Sequence, residues 1–104
     1  MTQRSVLVIG SGFAGLSAAS FMAKEGWKVT VIEKNQTPGG RARQLKEAGF
    51  TFDMGPSFYW MPDVFERYFN QFGKKLADYY TLHRLDPYYR IFWNEGFTDM
   101  PGAY

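Results

Sequence analysis

The first half of the chain alternates between short apolar runs and glycine-rich turns. Residues 5–9 contain Val6-Leu7-Val8-Ile9, which predicts a strand buried on both faces of a parallel sheet. Residues 14–25 combine good helix formers with apolar side chains at helical spacing and end before Gly26, so a helix is predicted there. Residues 28–33 then alternate as a second strand. This strand, helix, strand order predicts a right-handed parallel crossover unit.

Weaker patterns follow in the middle of the chain. Residues 41–45 are compatible with a short helix or with an extended segment, and residues 50–53 alternate like a strand. Pro62 stands at a helix-starting position, and an amphipathic helix is predicted from there towards Gly73. Its aromatic stripe faces a core or a lipophilic channel, of which the core is the commoner arrangement, and consists of Phe65, Tyr68, Phe69 and Phe72.

The residue pattern in the last quarter of the chain predicts short strands and turns. Residues 80–85 and 88–93 predict two strands around Asp86-Pro87, and residues 94–96 predict a tight turn into a further extended segment. Of the twenty aromatic residues, three precede Phe50 and seventeen lie from Phe50 onward. The composition therefore changes near the middle of the chain.

The composition argues against several classes of function. The 104 residues can hold at most one domain. There is no cysteine and a single histidine, His83, so we expect neither thiolate chemistry nor a metal site. The net charge is +2 and the basic residues are spread from Arg4 to Arg90, so no nucleic-acid partner is expected. No apolar run approaches the roughly 18 residues of a membrane span and no signal segment is evident, so we expect a cytoplasmic protein, soluble or peripheral to a membrane.

A glycine-rich turn joins the first strand to the first helix. Residues 10–15, Gly-Ser-Gly-Phe-Ala-Gly, have the G-x-G-x-x-G spacing in the context that dinucleotide binding requires. Gly10 allows the tight turn, Gly12 lets the main chain approach a pyrophosphate, and Gly15 lets the helix lie close to the strand. The N-terminus of the helix then presents its N–H groups to the phosphates. The alternative is that the glycines only form a tight turn.

A carboxylate closes the second strand. Glu33 lies at about the twenty-residue distance at which an acidic side chain accepts hydrogen bonds from the adenosine ribose and repels a 2'-phosphate. This position favours FAD or NAD over NADP. The alternative for Glu33 is a solvated strand end.

A second glycine cluster, Pro38-Gly39-Gly40-Arg41-Ala42, follows the second strand. The adjacent glycines can bring main chain against a cofactor, and Arg41 can bind its phosphates in a bidentate manner. The alternative is an ordinary polar loop with a solvated arginine.

Four segments together resemble the N-terminus of phytoene desaturases, the bacterial-type carotenoid desaturases of the amine-oxidase-like FAD superfamily. They are residues 6–19, 29–35, 38–42 and 49–57. The resemblance covers nearly the whole chain, because it continues through residues 58–62, 69–75 and 85–90. The glycine-rich turn is common to very many flavoproteins. The segment Asp53-Met54-Gly55-Pro56-Ser57 and the aromatic stretch after it are similar to the carotenoid branch in particular.

The resemblance implies which residues bind FAD. Those that would bind the pyrophosphate are Gly10, Gly12, Phe13, Ala14 and Gly15. Glu33 would bind the adenosine ribose. Those that would contact the adenosine or diphosphate part are Lys34, Gly40 and Arg41, and those near the flavin end are Gly55, Pro56 and Ser57. It implies no metal, and no catalytic residue is predicted within this chain.

The resemblance also implies an activity. The protein would be an FAD-dependent oxidoreductase of carotenoid biosynthesis that passes a hydride from a C–C bond of phytoene or a related isoprenoid to FAD, with oxygen or a quinone reoxidising the flavin. A lipophilic substrate is compatible with peripheral membrane contact, although the sequence lacks a basic amphipathic helix. Alternatives with the same cofactor residues are a carotenoid isomerase, a ketolase or an amine oxidase. A further alternative is a non-catalytic dinucleotide-binding module.

The predicted fold class is α/β. Residues 1–57 are expected to form a Rossmann-like FAD-binding βαβ unit with an incomplete parallel sheet, and residues 58–104 an aromatic-rich α+β segment that begins an insertion or substrate domain. Members of the resembled family are several times longer, so we expect an N-terminal fragment from which the remainder of the enzyme is absent. Two parallel strands and one helix cannot cover both faces of such a sheet. The fragment should therefore expose apolar surface, bind FAD weakly and be inactive alone.

Overall fold

The described part of the chain contains three two-stranded sheets, two α-helices and two short 3₁₀ turns. The computed structural model describes residues 2–56 and 58–102. It divides into two compact units, residues 1–62 and residues 63–104. The predicted division after Ser57 stays a prediction. No helix within the described ranges is both long enough and apolar enough to span a membrane.

The first unit opens with the predicted parallel crossover. Strand β1 (Ser5–Ile9) is followed by helix α1 (Phe13–Lys24) and strand β2 (Lys28–Ile32). The two strands are parallel, with Val6 opposite Val29. Helix α1 begins one residue earlier than predicted. Strand β2 ends just before Glu33, so the Glu33 carboxylate lies at the carboxyl end of the two strands.

The two faces of this small sheet differ in burial. On one face α1 packs against β1, where the Val8 side chain lies next to Gly15. On the other face Leu7 is 56% exposed and Ile9 is 84% exposed. The expectation of uncovered apolar surface is confirmed, because a single helix covers a single face of a parallel sheet.

A hairpin completes the first unit. A 3₁₀ turn (Gly40–Ala42) leads into strand β3 (Gln44–Glu47), which pairs with the antiparallel strand β4 (Phe50–Asp53). Residues 41–45 therefore contain both of the predicted alternatives, a helical turn that ends at Ala42 and an extended strand that begins at Gln44. The strand predicted at residues 50–53 is confirmed.

Aromatic side chains organise the second unit. Helix α2 (Pro62–Asn70) begins at the predicted proline. The Phe69 ring stacks on Tyr79 at 4.8 Å between centroids, and the Tyr68 and Phe72 rings lie 5.1 Å apart. After the helix Leu76 is buried, at 7% exposure. No residue of α2 is fully buried, so the choice between core and lipophilic channel for the aromatic stripe stays a prediction.

The second unit ends in a hairpin, but one predicted strand is wrong. Strand β5 (Tyr89–Trp93) pairs with the antiparallel strand β6 (Gly96–Met100) across the predicted turn. Residues 80–85 form no strand. Strand β5 pairs only with β6 among the described residues, and the Arg84 side chain donates to the carbonyl of Gly102.

Candidate dinucleotide-binding site

The turn after β1 has the conformation that its glycines allow. Gly10 has a φ of +96°, a region that disfavours residues with a side chain, and its N–H donates to the Ile32 carbonyl at 2.7 Å. Gly12 caps α1 without a side chain, and the helix ladder begins with the Leu16 N–H donating to the Gly12 carbonyl at 2.9 Å. The first residue of the turn is thus hydrogen-bonded to the end of β2, and the turn leads directly into the N-terminus of α1.

Gly15 brings α1 against this turn. A Cβ atom placed on Gly15 would overlap the Gly10 carbonyl oxygen and would lie 3.6 Å from a methyl group of Val8. Only glycine therefore allows this distance between the helix and the strand, as the spacing of the motif predicts.

The N-terminus of α1 faces an open cleft of about 490 Å³. The first N–H groups of an α-helix have no partner within the helix and carry a partial positive charge. The first turn of α1 contains no acidic side chain to offset that charge. A Cβ atom on Gly10, one of the residues that line the cleft, would meet no other atom within 4 Å, so the space beside Gly10 is open. The lining residues are Ile9, Gly10, Gly12, Phe13, Ala14, Gly15, Gly39, Gly40 and Arg41.

The second glycine cluster lies directly against the first. The Gly39 N–H donates to the Ser11 carbonyl at 2.9 Å. Gly40 has a φ of +60°, and a Cβ atom there would stand 3.0 Å from the Gly12 Cα. The close approach of the two turns therefore depends on glycine at position 40, whereas a Cβ atom on Gly12 would make an ordinary contact with the Gly40 Cα at 3.9 Å. The approach places the exposed Arg41 at the cleft.

A second cleft of about 750 Å³ continues from the first. Phe13, Gly40 and Arg41 line both clefts. Gly55 lies against the Arg41 carbonyl with a φ of +126°, so close that a Cβ atom would overlap the oxygen. The further lining residues are Ala42, Arg43, Met54, Gly55 and Pro56.

Glu33 is the acidic group of the site, and both of its carboxylate oxygens accept hydrogen bonds. Oε2 accepts from the Ser11 N–H at 2.8 Å and from the Ser11 hydroxyl at 2.5 Å. Oε1 accepts from the Asn35 N–H at 2.9 Å and from the Asn35 amide at 3.0 Å. The carboxylate therefore joins the glycine turn after β1 to the loop after β2.

These hydrogen bonds favour the ionised form of Glu33. The Ser11 hydroxyl, and after it the N–H groups of Asn35 and Ser11, lower the pKa of Glu33 from 4.5 to about 2, against a smaller opposing effect of desolvation. The carboxylate is therefore charged throughout the neutral range.

The predicted site residues fall into three groups. Most line one of the two clefts, namely Gly10, Gly12, Phe13, Ala14, Gly15, Gly40, Arg41, Gly55 and Pro56. Glu33 and Lys34 line neither. Glu33 is hydrogen-bonded to Ser11, which lies in sequence between the cleft-lining Gly10 and Gly12, and Lys34 is exposed after β2. Ser57 lies outside the described residues. Their roles in binding stay predictions.

Three polar residues at the site escaped the sequence analysis. Ser11 and Asn35 hold the Glu33 carboxylate, and Arg43 lines the second cleft while its guanidinium donates to the Gly40 carbonyl at 3.2 Å. Ser11 occupies a variable position of the glycine motif, so the motif itself gives no sign of its role. An amide two residues after the strand-ending carboxylate is the signal that could have identified Asn35.

The site fits a dinucleotide. Helix N–H groups and Arg41 suit a pyrophosphate, the glycines leave room for it, and the charged Glu33 suits the hydroxyl groups of a ribose. Among residues 2–56 and 58–102, no group of three His, Cys, Asp or Glu side chains is placed to hold a metal ion.

Comparison with known proteins agrees with this geometry. A sequence model described as an NAD(P)-binding Rossmann-like domain matches residues 8–72. The chain belongs to this Rossmann-like family. The match begins within β1 and includes both glycine turns and Glu33. The predicted Rossmann-like α/β class is thereby confirmed.

The chain is also similar to curated proteins of carotenoid metabolism. It is 55% identical to a carotenoid 3,4-desaturase of Haloarcula japonica over 92% of the chain and 19% of that protein. It is 46% identical to a zeta-carotene-forming phytoene desaturase of Myxococcus xanthus, over 88% of the chain and 18% of that protein. A 4,4'-diapolycopene oxygenase of a Methylomonas species is 45% identical, again over 88% and 18%. The chain thus spans about a fifth of the length of these relatives, and the resemblance to carotenoid desaturases is confirmed for that length.

Proposed function

We propose that this chain is the dinucleotide-binding part of an FAD-dependent oxidoreductase that desaturates a carotenoid precursor. The observation that carries the proposal is its 55% identity to a carotenoid 3,4-desaturase over 92% of the chain. The geometry adds independent support for the cofactor class, because the cleft at α1 combines exposed helix N–H groups with a charged carboxylate nearby. FAD is the dinucleotide that we assign to it.

Different residues of the chain would bind different parts of FAD. The N-terminus of α1 and Arg41 would bind the pyrophosphate, with Gly10 and Gly12 leaving the space for it. Glu33 would accept hydrogen bonds from the adenosine ribose, with Lys34 close to the adenosine. Gly55, Pro56 and Ser57 would lie towards the flavin end. A carboxylate at the ribose disfavours a 2'-phosphate, which speaks for FAD over NADP.

The cofactor would supply the redox chemistry. When bound, FAD accepts a hydride from one carbon of a saturated C–C bond while the neighbouring carbon loses a proton, which leaves a conjugated double bond. This chain would position the cofactor, because its two glycine turns and the Glu33 carboxylate would hold the nucleotide half of FAD in place. The substrate would be phytoene or a related isoprenoid.

The substrate class also bears on where the protein acts. We place it in the cytoplasm with peripheral contact to the membrane that stores its lipid-soluble substrate. Fractionation of cells that express the native protein tests this placement. We expect the protein in the membrane pellet at low salt and its release by high salt or mild detergent. A protein that sediments with no membrane under any condition would contradict the placement.

One alternative has a specific observation in its favour. The 45% identity to a diapolycopene oxygenase is one percentage point below the 46% identity to two desaturases. An FAD enzyme that introduces oxygen into a carotenoid would therefore share this part of the chain. A carotenoid isomerase, an amine oxidase and a non-catalytic dinucleotide-binding module have no comparable support.

Product analysis separates these activities. The full-length native protein is expressed in a host that accumulates phytoene, and extracted carotenoids are compared by chromatography and absorption spectra with those of a host carrying the empty vector. Desaturation predicts products with additional conjugated double bonds and no added oxygen. Oxygenated products would favour the alternative, and unchanged phytoene would contradict phytoene as the substrate.

A further inference from the structure

The acceptor capacity of Glu33 is filled by four donors of the protein itself. A carboxylate offers about four lone-pair positions, two on each oxygen. Ser11 donates two hydrogen bonds to Oε2, and Asn35 donates two to Oε1. A ribose hydroxyl that donates to this carboxylate must therefore replace one of these donors.

The four donors differ in how easily they can leave. Two are backbone N–H groups. The backbone of Ser11 is also held by a second hydrogen bond, because the Ser11 carbonyl accepts from the Gly39 N–H. The Ser11 hydroxyl is a side-chain donor, but Ser11 is buried, at 3% exposure. The Asn35 amide is also a side-chain donor, and Asn35 is only half-buried. The Asn35 amide is thus the one donor that is both rotatable and within reach of solvent.

We propose that a ribose hydroxyl of the dinucleotide displaces the Asn35 amide from Oε1 of Glu33, while Ser11 holds Oε2 in place. This inference rests on the proposed function, since it concerns the nucleotide that Glu33 binds there. Ser11 is then a positioning residue that acts through Glu33. Asn35 is a competitor of the ligand at the same oxygen.

The two side chains should therefore affect affinity in opposite directions. Asn35→Ala keeps the backbone N–H on Oε1 and removes only the competing amide, so FAD should bind about threefold to tenfold more tightly. Ser11→Ala leaves the carboxylate with one donor fewer on its buried side, so FAD should bind about threefold to tenfold more weakly. A shared effect on folding would move both variants the same way.

The experiment measures dissociation constants for FAD in the full-length native protein after removal of its flavin. The variants are Asn35→Ala, Ser11→Ala and the control Ser20→Ala, whose hydroxyl donates to the Leu16 carbonyl within α1. ADP and 2',3'-dideoxy-ADP serve as further probes, since the second has no ribose hydroxyl. The gain from Asn35→Ala should appear with ADP and be absent with dideoxy-ADP, and Ser20→Ala should match the wild type.

The possible results are distinct. Opposite shifts for Asn35→Ala and Ser11→Ala, with the gain confined to ligands that carry ribose hydroxyls, support the displacement. If the wild type binds FAD and Asn35→Ala binds it equally or more weakly, the displacement is wrong and the proposed function stands. If the wild type binds neither FAD nor ADP, the proposed function fails and the inference with it. Should Ser11→Ala not fold, Asn35→Ala with the two ADP probes still decides.

Discussion

Ser11 and Glu33, 22 residues apart in the sequence, are joined by two hydrogen bonds to a single carboxylate oxygen. The backbone N–H of Ser11 lies 2.8 Å from Oε2 and its hydroxyl 2.5 Å. Because Ser11 lies in the turn after β1 and Glu33 follows β2, this contact fixes the carboxyl ends of the two parallel strands to each other. The same carboxylate that is predicted to bind the ribose therefore also stabilises the turn that is predicted to bind the pyrophosphate.

Acid should weaken the first unit through Glu33. The pKa of Glu33 in the folded chain is lowered from 4.5 to about 2, so folding favours the ionised form. The stabilisation is complete above the unfolded value of about 4.5 and is lost as the pH falls through about 2. Urea unfolding of the full-length protein between pH 7 and pH 2 should show a decline in the free energy of unfolding over that window.

Glu33→Gln is the control for this acid dependence. The amide cannot ionise, so this variant should be less stable at pH 7 and should lose part of the decline between pH 4.5 and pH 2. An identical acid dependence in wild type and variant would show that other groups cause it.

Gly15→Ala should separate α1 from β1. The added Cβ would overlap the Gly10 carbonyl oxygen, which is backbone and cannot rotate away. Overpacking of this kind costs about 1–3 kcal/mol of unfolding free energy. Gly96→Ala is the matched control, since a Cβ there meets nothing within 4 Å and the residue has no positive φ. Equal urea midpoints for the two variants would contradict the close contact.

The strand, helix, strand unit could be predicted because its determinants are local. Hydrophobic periodicity and the glycines at residues 10, 12 and 15 specify it within a short stretch of sequence. The strand predicted at residues 80–85 failed for the opposite reason. Alternation gives a strand only where a partner exists, and β5 takes β6 as its partner through the tighter turn.

Long-range side-chain contacts explain what the sequence could not reveal at the site. The positions of Gly10, Glu33 and Arg41 follow from motif spacing. That Ser11 and Asn35 meet the same carboxylate depends on the parallel register of β1 and β2, which no local pattern encodes. The contact of Gly40 with Gly12 is likewise a product of tertiary structure.

Gly40→Ala should weaken FAD binding beyond its effect on folding. Gly40 has a φ of +60°, and its added Cβ would stand 3.0 Å from the Gly12 Cα, which pushes the two turns apart. Gly49→Ala is the matched control, since its φ of +83° is also unfavourable for alanine but a Cβ there meets nothing within 4 Å. Both variants should lose about 1–2 kcal/mol of stability. Only Gly40→Ala should raise the dissociation constant for FAD, by about tenfold, and equal affinities would contradict the role of the contact.

Arg41→Gln should reduce affinity for FAD and its dependence on salt. Arg41 lines both clefts and is exposed, so its charge is available to a phosphate. We expect an affinity loss of about tenfold at low ionic strength that shrinks as salt is added. Arg67→Gln removes the same charge from an exposed ion pair with Asp63 on α2 and should leave FAD affinity unchanged. Equal losses in both variants would point to net charge rather than to the cleft.

The most direct test of the account is the reaction of the flavin with the substrate. The full-length native protein, loaded with FAD, is mixed without oxygen with phytoene in lipid vesicles while the flavin and polyene absorption bands are followed together. The account predicts that the band of oxidised flavin declines as a more conjugated polyene appears in matching amount. A flavin band that stays unchanged while phytoene, and the related isoprenoids tested in the same way, remain intact would contradict it.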